Sequence, residues 1–138
     1  VLGGGMTGCE TAHYLTGLGK EVVILEQLKR AGQDIGPARR SLLFQALKDA
    51  KVHILTSCAV SSIEDDRVNY LKISEGPPVP EVLSGIDTFV NALGVRPFDP
   101  LSEELKDYGG RLEVIGDARS TGTCLQAIAQ GAKTALSI

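Results

Sequence analysis

Close to the beginning of the chain, Gly3-Gly4-Gly5-Met6-Thr7-Gly8 sets glycines in the pattern G-x-G-x-x-G, and Glu26 stands at the end of the next apolar run. Each glycine of such a pattern has its own task. Gly3 permits a tight turn out of a strand, Gly5 lets the backbone approach a pyrophosphate, and Gly8 lets a helix pack closely on the sheet. Met6 and Thr7 complete the cradle, so that the phosphates face a helix N-terminus, where unpaired N–H groups and the macrodipole favour negative charge. A carboxylate ~20 residues further on is the expected acceptor for an adenosine ribose, and Glu26 takes that place. The same carboxylate repels a 2'-phosphate, so NADH is expected in preference to NADPH. Lys29 and Arg30 lie just beyond, either softening that preference or serving as solvated loop charges. The competing reading is a glycine-rich turn with a surface Glu.

These residues need a strand before them and a helix after them. Val1-Leu2 reads as a strand stub. Met6, Cys9, Ala12, Leu15 and Leu18 recur every three residues, which predicts an inward-facing helical stripe closed by Gly19. The run 21–25 is apolar, β-branched and too short for a helix, hence a buried parallel strand. Pro37 suits the first turn of a second helix, with Leu42, Leu43, Ala46, Leu47 and Ala50 inward. The segment 52–55 is a third strand, completing a βαβαβ mononucleotide-binding pattern. Segments 58–64, 67–73 and 81–83 then predict an antiparallel meander over one side of the sheet, turning at Asp65-Asp66 and at 76–78. Further strands are expected at 87–93 and 112–115. A last helix is expected over 123–138, with Leu125, Ile128, Ala132 and Ala135 inward.

Two later segments explain the second half. Asn91-Ala92-Leu93-Gly94-Val95-Arg96-Pro97 and Val114-Ile115-Gly116-Asp117-Ala118, taken with GGGMTGCETA, resemble the two-dinucleotide flavoproteins, in which an NAD domain is inserted into an FAD domain. In that family an A-L-G-x-R-P segment carries the chain back to the FAD domain. GGGMTGCETAHYL, GQDIGPARR and LLFQALKDAKVHILT are most similar to its NADH:flavin oxidoreductase branch, the 2-enoate and 2,4-dienoyl-CoA reductases. The fold class expected is therefore α/β. It comprises a Rossmann-like NAD-binding domain at 1–95, a parallel sheet with a β-meander, and a returning C-terminal segment of an FAD-binding domain at 96–138.

The resemblance implies hydride transfer from NADH to FAD, and onward reduction of an activated carbon–carbon double bond. A barrel and the first half of the FAD domain would precede Val1. Asp117 would bind the ribityl and pyrophosphate region of FAD. The helix carrying Ala127, Ile128, Gly131 and Thr134 would approach the flavin with its N-terminus near 123–126. Gly94 would let the backbone approach the nicotinamide side. Glu10 would hydrogen-bond the nicotinamide carboxamide, or else serve as an exposed first-turn carboxylate stabilising the helix dipole. Without the other half of the FAD domain, Asp117 would cap a turn.

The bulk numbers fit this reading. A chain of 138 residues has room for one globular core, and its net charge of -3 gives no electrostatic reason to expect nucleic acid or an anionic membrane. No apolar run reaches the ~18–20 residues of a membrane span. Cys9, Cys58 and Cys124 are far apart and odd in number, so they read as buried small hydrophobes in a reducing compartment, and the cytoplasm is expected. His13 and His53 have no nucleophile–carboxylate pattern around them. Arg39-Arg40 reads as solvated, with phosphate contact across the cleft as the alternative. Competing functions are the NAD-binding part of a pyridine nucleotide-disulfide reductase or NADH oxidase, and a non-catalytic NAD-sensing module. The absent C-x-x-C argues against a thioredoxin reductase, and the Val-Ile-Gly-Asp-Ala segment argues against a pure sensor.

Overall fold

Alternation along two short segments organises the first part of the molecule. Val22 and Ile24 point to one face, packing with Cys9, Ala12, Ile35 and Leu47, whereas Leu2 and Leu25 point to the other and pack with Cys58, Val68 and Tyr70. A strand buried on both faces has to lie inside a layered fold. β1 (Val23–Leu25) pairs in parallel with β2 (His53–Leu55), in the register Val23–His53, Ile24–Ile54, Leu25–Leu55. On its other edge Leu25 bridges Leu2, and Leu2 bridges Asn91, both in parallel. The spatial sequence third, second, first, fourth is that of a mononucleotide-binding half.

The computed structural model describes all residues from Val1 to Ile138, in two compact units, Val1–Gly94 and Val95–Ile138. In the first, α1 (Met6–Gly17) and α2 (Pro37–Asp49) cover one face of the parallel sheet. Pro37 opens α2, where its missing N–H costs nothing. The other face is covered by an antiparallel meander of β3 (Cys58–Glu64), β4 (Arg67–Lys72) and β5 (Val79–Leu83). Asp65 turns the chain with φ 47°, and Pro80 is tolerated because β5 is an edge strand.

The second unit holds a short α3 (Leu101–Glu104), a single 3-10 turn at Gly116–Ala118 and α4 (Cys124–Ala135). α4 is tied to that turn by Gln130, whose Oε1 accepts the Gly116 N–H at 2.7 Å.

Several sequence-based expectations are corrected here. The segment 87–93 is no regular strand. It pairs at a single bridge, through Leu2 N–H to Val90 O and Ala92 N–H to Leu2 O, both 2.8 Å, and two ladder bonds do not make a regular strand. The segment 112–115 has no strand beside it and forms none. On α1 the buried stripe is narrower than expected, with Cys9 and Ala12 inside but Met6 and Leu18 exposed. On α2 the inner face is rotated: Leu47 is buried, Leu43 and Phe44 are half-buried, and Leu42 and Ala50 face solvent. On α4 the expected inward residues Leu125, Ile128, Ala132 and Ala135 are exposed, while Ala127, Gln130, Gly131 and Thr134 are half-buried. The contact with the 114–118 backbone selects small side chains, not large apolar ones. Cys124 is also exposed, unlike Cys9 and Cys58.

Candidate functional site

The glycine loop lies at the carboxyl end of the central strand stub and opens α1, with Gly5 as its N-cap. Gly3 adopts φ +103°, and a Cβ there would run into the backbone carbonyl of Ala92. Gly8 sits so close to the turn that a Cβ would collide with the Gly3 carbonyl oxygen. These two positions require glycine for different reasons, backbone conformation together with crowding at Gly3 and helix–turn approach at Gly8. Thr7 and Gly8 carry N–H groups in the first turn that no earlier helical carbonyl can satisfy. Met6 N–H is bonded to Asp34, at 3.0 and 2.9 Å to its two carboxylate oxygens.

Glu26 follows β1 directly and is only 8 % exposed, so the surface-Glu reading is overturned. Its Oε2 accepts the Gly4 N–H at 2.6 Å and its Oε1 accepts the Leu28 N–H at 2.7 Å. A carboxylate has about four lone-pair sites, so two remain for further donors such as sugar hydroxyls. Glu26 thus fixes the glycine loop and keeps acceptor capacity beside it. Gly4, a free position in the motif, is less crowded than Gly3 and Gly8 but still tight: a Cβ would lie 3.0 Å from Ala31 Cβ, Glu26 Cβ and Glu26 Oε2.

Glu10 lies in the second turn of α1, which corrects the first-turn alternative, and it forms an ion pair with Arg39 at the start of α2. Arg40 is not a free surface charge either. It donates to Ala31 O at 3.2 and 3.0 Å and lies over the Phe44 ring, 4.2 Å from its centroid. Gly94 has φ +98° with open space around it, so its glycine is required by conformation alone. Gly3, Gly5, Met6, Thr7, Gly8, Glu10 and Glu26 converge on one end of the first unit.

Burial pushes the Cys9 thiol up to about 11, with the Asp34 and Glu26 carboxylates adding to the effect. Cys9 therefore stays protonated near neutrality, donating to Gly4 O at 3.4 Å, and is a packing residue. His13 and His53 are exposed.

In the second unit, Asp117 Oδ1 accepts the Gly122 N–H at 3.1 Å, which is the turn-capping role. The N-terminus of α4 is closed by a capping box, with Gln126 N–H to Thr123 Oγ1 at 3.3 Å and Thr123 N–H to Gln126 Oε1 at 2.7 Å. The glycine spacing singled out Gly3, Gly5 and Gly8. It missed Gly4, for which the unbroken run of three glycines was the only signal, and Asp34, for which the sequence held none.

Residues 1–121 match the pyridine nucleotide-disulphide oxidoreductase family, and the chain belongs to that family. It is 32% identical over 139 residues to an NADH oxidase of Thermoanaerobacter brockii, a match covering 100% of this chain and 21% of the oxidase. It is 30% identical over 131 residues to a cinnamate reductase of Clostridium sporogenes, covering 93% of this chain and 19% of the reductase. Among solved structures it is similar in fold to a 2-naphthoyl-CoA reductase, with a TM-score of 0.80 and 24% identity over 99% of this chain and 20% of that one. The chain thus spans about a fifth of the length of these relatives. The resemblance read from the motifs is borne out, as is the α/β fold class.

Proposed function

We propose that residues 1–95 are an NAD(H)-binding domain and residues 96–138 a returning segment of an FAD-binding domain. Both would belong to a longer NADH:flavin oxidoreductase that reduces activated carbon–carbon double bonds. The observation that carries this reading is the glycine loop at the head of α1, held by a buried carboxylate at the end of the second strand. A diphosphate fits the unpaired Thr7 and Gly8 N–H groups, and a ribose fits the free acceptor sites of Glu26. Glu10, restrained by Arg39, is the group for the nicotinamide amide, and Gly94 borders that side. In the returning segment, Asp117 and the leading end of α4 are the groups offered to FAD. When bound, the dinucleotides would supply the redox chemistry, hydride transfer between nicotinamide and flavin, and the chain would bind and orient them.

The names of the relatives support the reductase assignment, and the NADH oxidase relative supports a second reading, in which electrons from NADH pass to another acceptor. The test is calorimetric titration with NADH and NADPH. NADH is expected to bind more tightly, and Glu26→Gln, which removes the charge but keeps an acceptor, is expected to narrow the difference. Equal affinity of the unmutated chain for both defeats the ribose assignment.

A further inference from the structure

The loop between β1 and α2 places an anion of its own at the head of α1. Both Asp34 oxygens accept from the Met6 N–H, and Asp34 Oδ2 is the atom nearest a Cβ built on Gly5, at 3.1 Å. The same loop is tied to the glycine turn by Gly32 N–H to Gly4 O at 2.7 Å. Behind Asp34 it is anchored by the two Arg40 bonds to Ala31 O. Asp34 itself is exposed, makes no bond besides those to Met6 N–H, and lies between Gly32, at φ +67°, and Gly36.

We propose that Asp34 is an internal competitor of the dinucleotide: its carboxylate takes the Met6 N–H, the first donor of the turn whose Thr7 and Gly8 N–H groups await the diphosphate, and must be expelled when the nucleotide binds. This rests on reading the first unit as a dinucleotide domain. The physical case is one of occupancy and sign. The Met6 N–H is a single donor and cannot serve a carboxylate and a phosphate together. Two anions in one N-terminal turn also repel one another. Ala31, Gly32 and the buried Ile35 can stay in place while the exposed Asp34 side chain turns outward by changing its rotamer. A nucleotide binding a state that is only fractionally populated loses apparent affinity by that fraction. Asp34 thereby sets the nucleotide concentration at which the site fills.

The test titrates NADH into the full 138-residue chain and its Asp34→Asn and Asp34→Ala variants by calorimetry, while the Met6 amide is followed by NMR. Asp34→Ala is expected to bind NADH roughly 3- to 30-fold more tightly, with Asp34→Asn in between. In the unmutated chain, NADH is expected to move the Met6 amide to the position seen in the bound variants. Equal or weaker binding by both variants overturns the proposal. So does NADH binding that leaves the Met6 amide unmoved. In either case the dinucleotide reading survives. Failure of all three proteins to bind NADH removes the dinucleotide reading, and this inference with it.

Discussion

Replacing Glu26 by Ala tests whether one side chain holds the loop that the function needs. In the native structure its two oxygens take the Gly4 and Leu28 N–H groups at 2.6 and 2.7 Å. Gly4 is buried, so in Glu26→Ala its donor has no substitute acceptor, a cost of about 1–3 kcal/mol. Leu28 is exposed and its N–H turns to water, which limits that loss to about 1 kcal/mol. The sum is about 2–4 kcal/mol, a large part of the ~5–15 kcal/mol that holds a typical domain together. With a urea slope of about 1–3 kcal/mol/M, the midpoint falls by roughly 1–2 M. Glu26→Gln keeps one acceptor oxygen for Gly4 and loses about half as much. The assay is urea unfolding followed by circular dichroism, comparing midpoints at unchanged slope. A Glu26→Ala midpoint within about 0.3 M of the native chain refutes the argument. It would mean that the bonds to Gly4 and Leu28 are not worth what their burial and charge imply.

Three further outcomes are expected. Gly8→Ala should destabilise by about 1–3 kcal/mol, because its methyl group meets the Gly3 carbonyl, whereas Gly17→Ala, with nothing within 4 Å, should stabilise by about 0.5–1 kcal/mol; thermal melts of the two give opposite signs if the structure is right. A chromogenic disulfide reagent should find one fast thiol in the native chain, Cys124, and three in denaturant, since Cys9 and Cys58 are buried; mass mapping of the labelled residue checks it. The contribution of Cys9 to stability should be full below pH 9, then fall as the pH rises through about 11, because native Cys9 keeps a proton that the unfolded chain releases from about 9.0 upward. That loss amounts to about 2–3 kcal/mol, is followed by a second from Tyr70 between 10.0 and about 12, and its first part should disappear in Cys9→Ala.

The parts of the molecule that were legible in the sequence are those fixed by short-range pattern. Glycine spacing placed the loop, β-branched runs placed β1 and β2, and turn residues placed the meander, because each depends on conformations that a few neighbouring residues impose. What was not legible depends on a distant partner. A strand exists only where another lies beside it, so 87–93 and 112–115 read as strands by composition and are not regular strands in space. The exposed large side chains of α4 read as a buried face because periodicity shows that a stripe is apolar without showing which side finds a contact. Asp34 looked like one more loop residue. Its bond to Met6 joins positions 28 residues apart, and no local pattern announces it.

Glu26 serves two masters, since the atoms that would recognise a sugar are also those that keep Gly4 in its turn. On the proposed ribose assignment, a change toward a phosphorylated ribose cannot simply exchange this carboxylate for a cationic or hydroxyl side chain, because Gly4 would lose its acceptor. A replacement acceptor for Gly4 has to arise first, or together with it. A side chain at position 4 would also press on Ala31 and on Glu26 itself, each 3.0 Å from a Cβ built there. On that assignment, a change of cofactor would also disturb the loop, and redesign is expected to need paired substitutions in the β1–α2 loop.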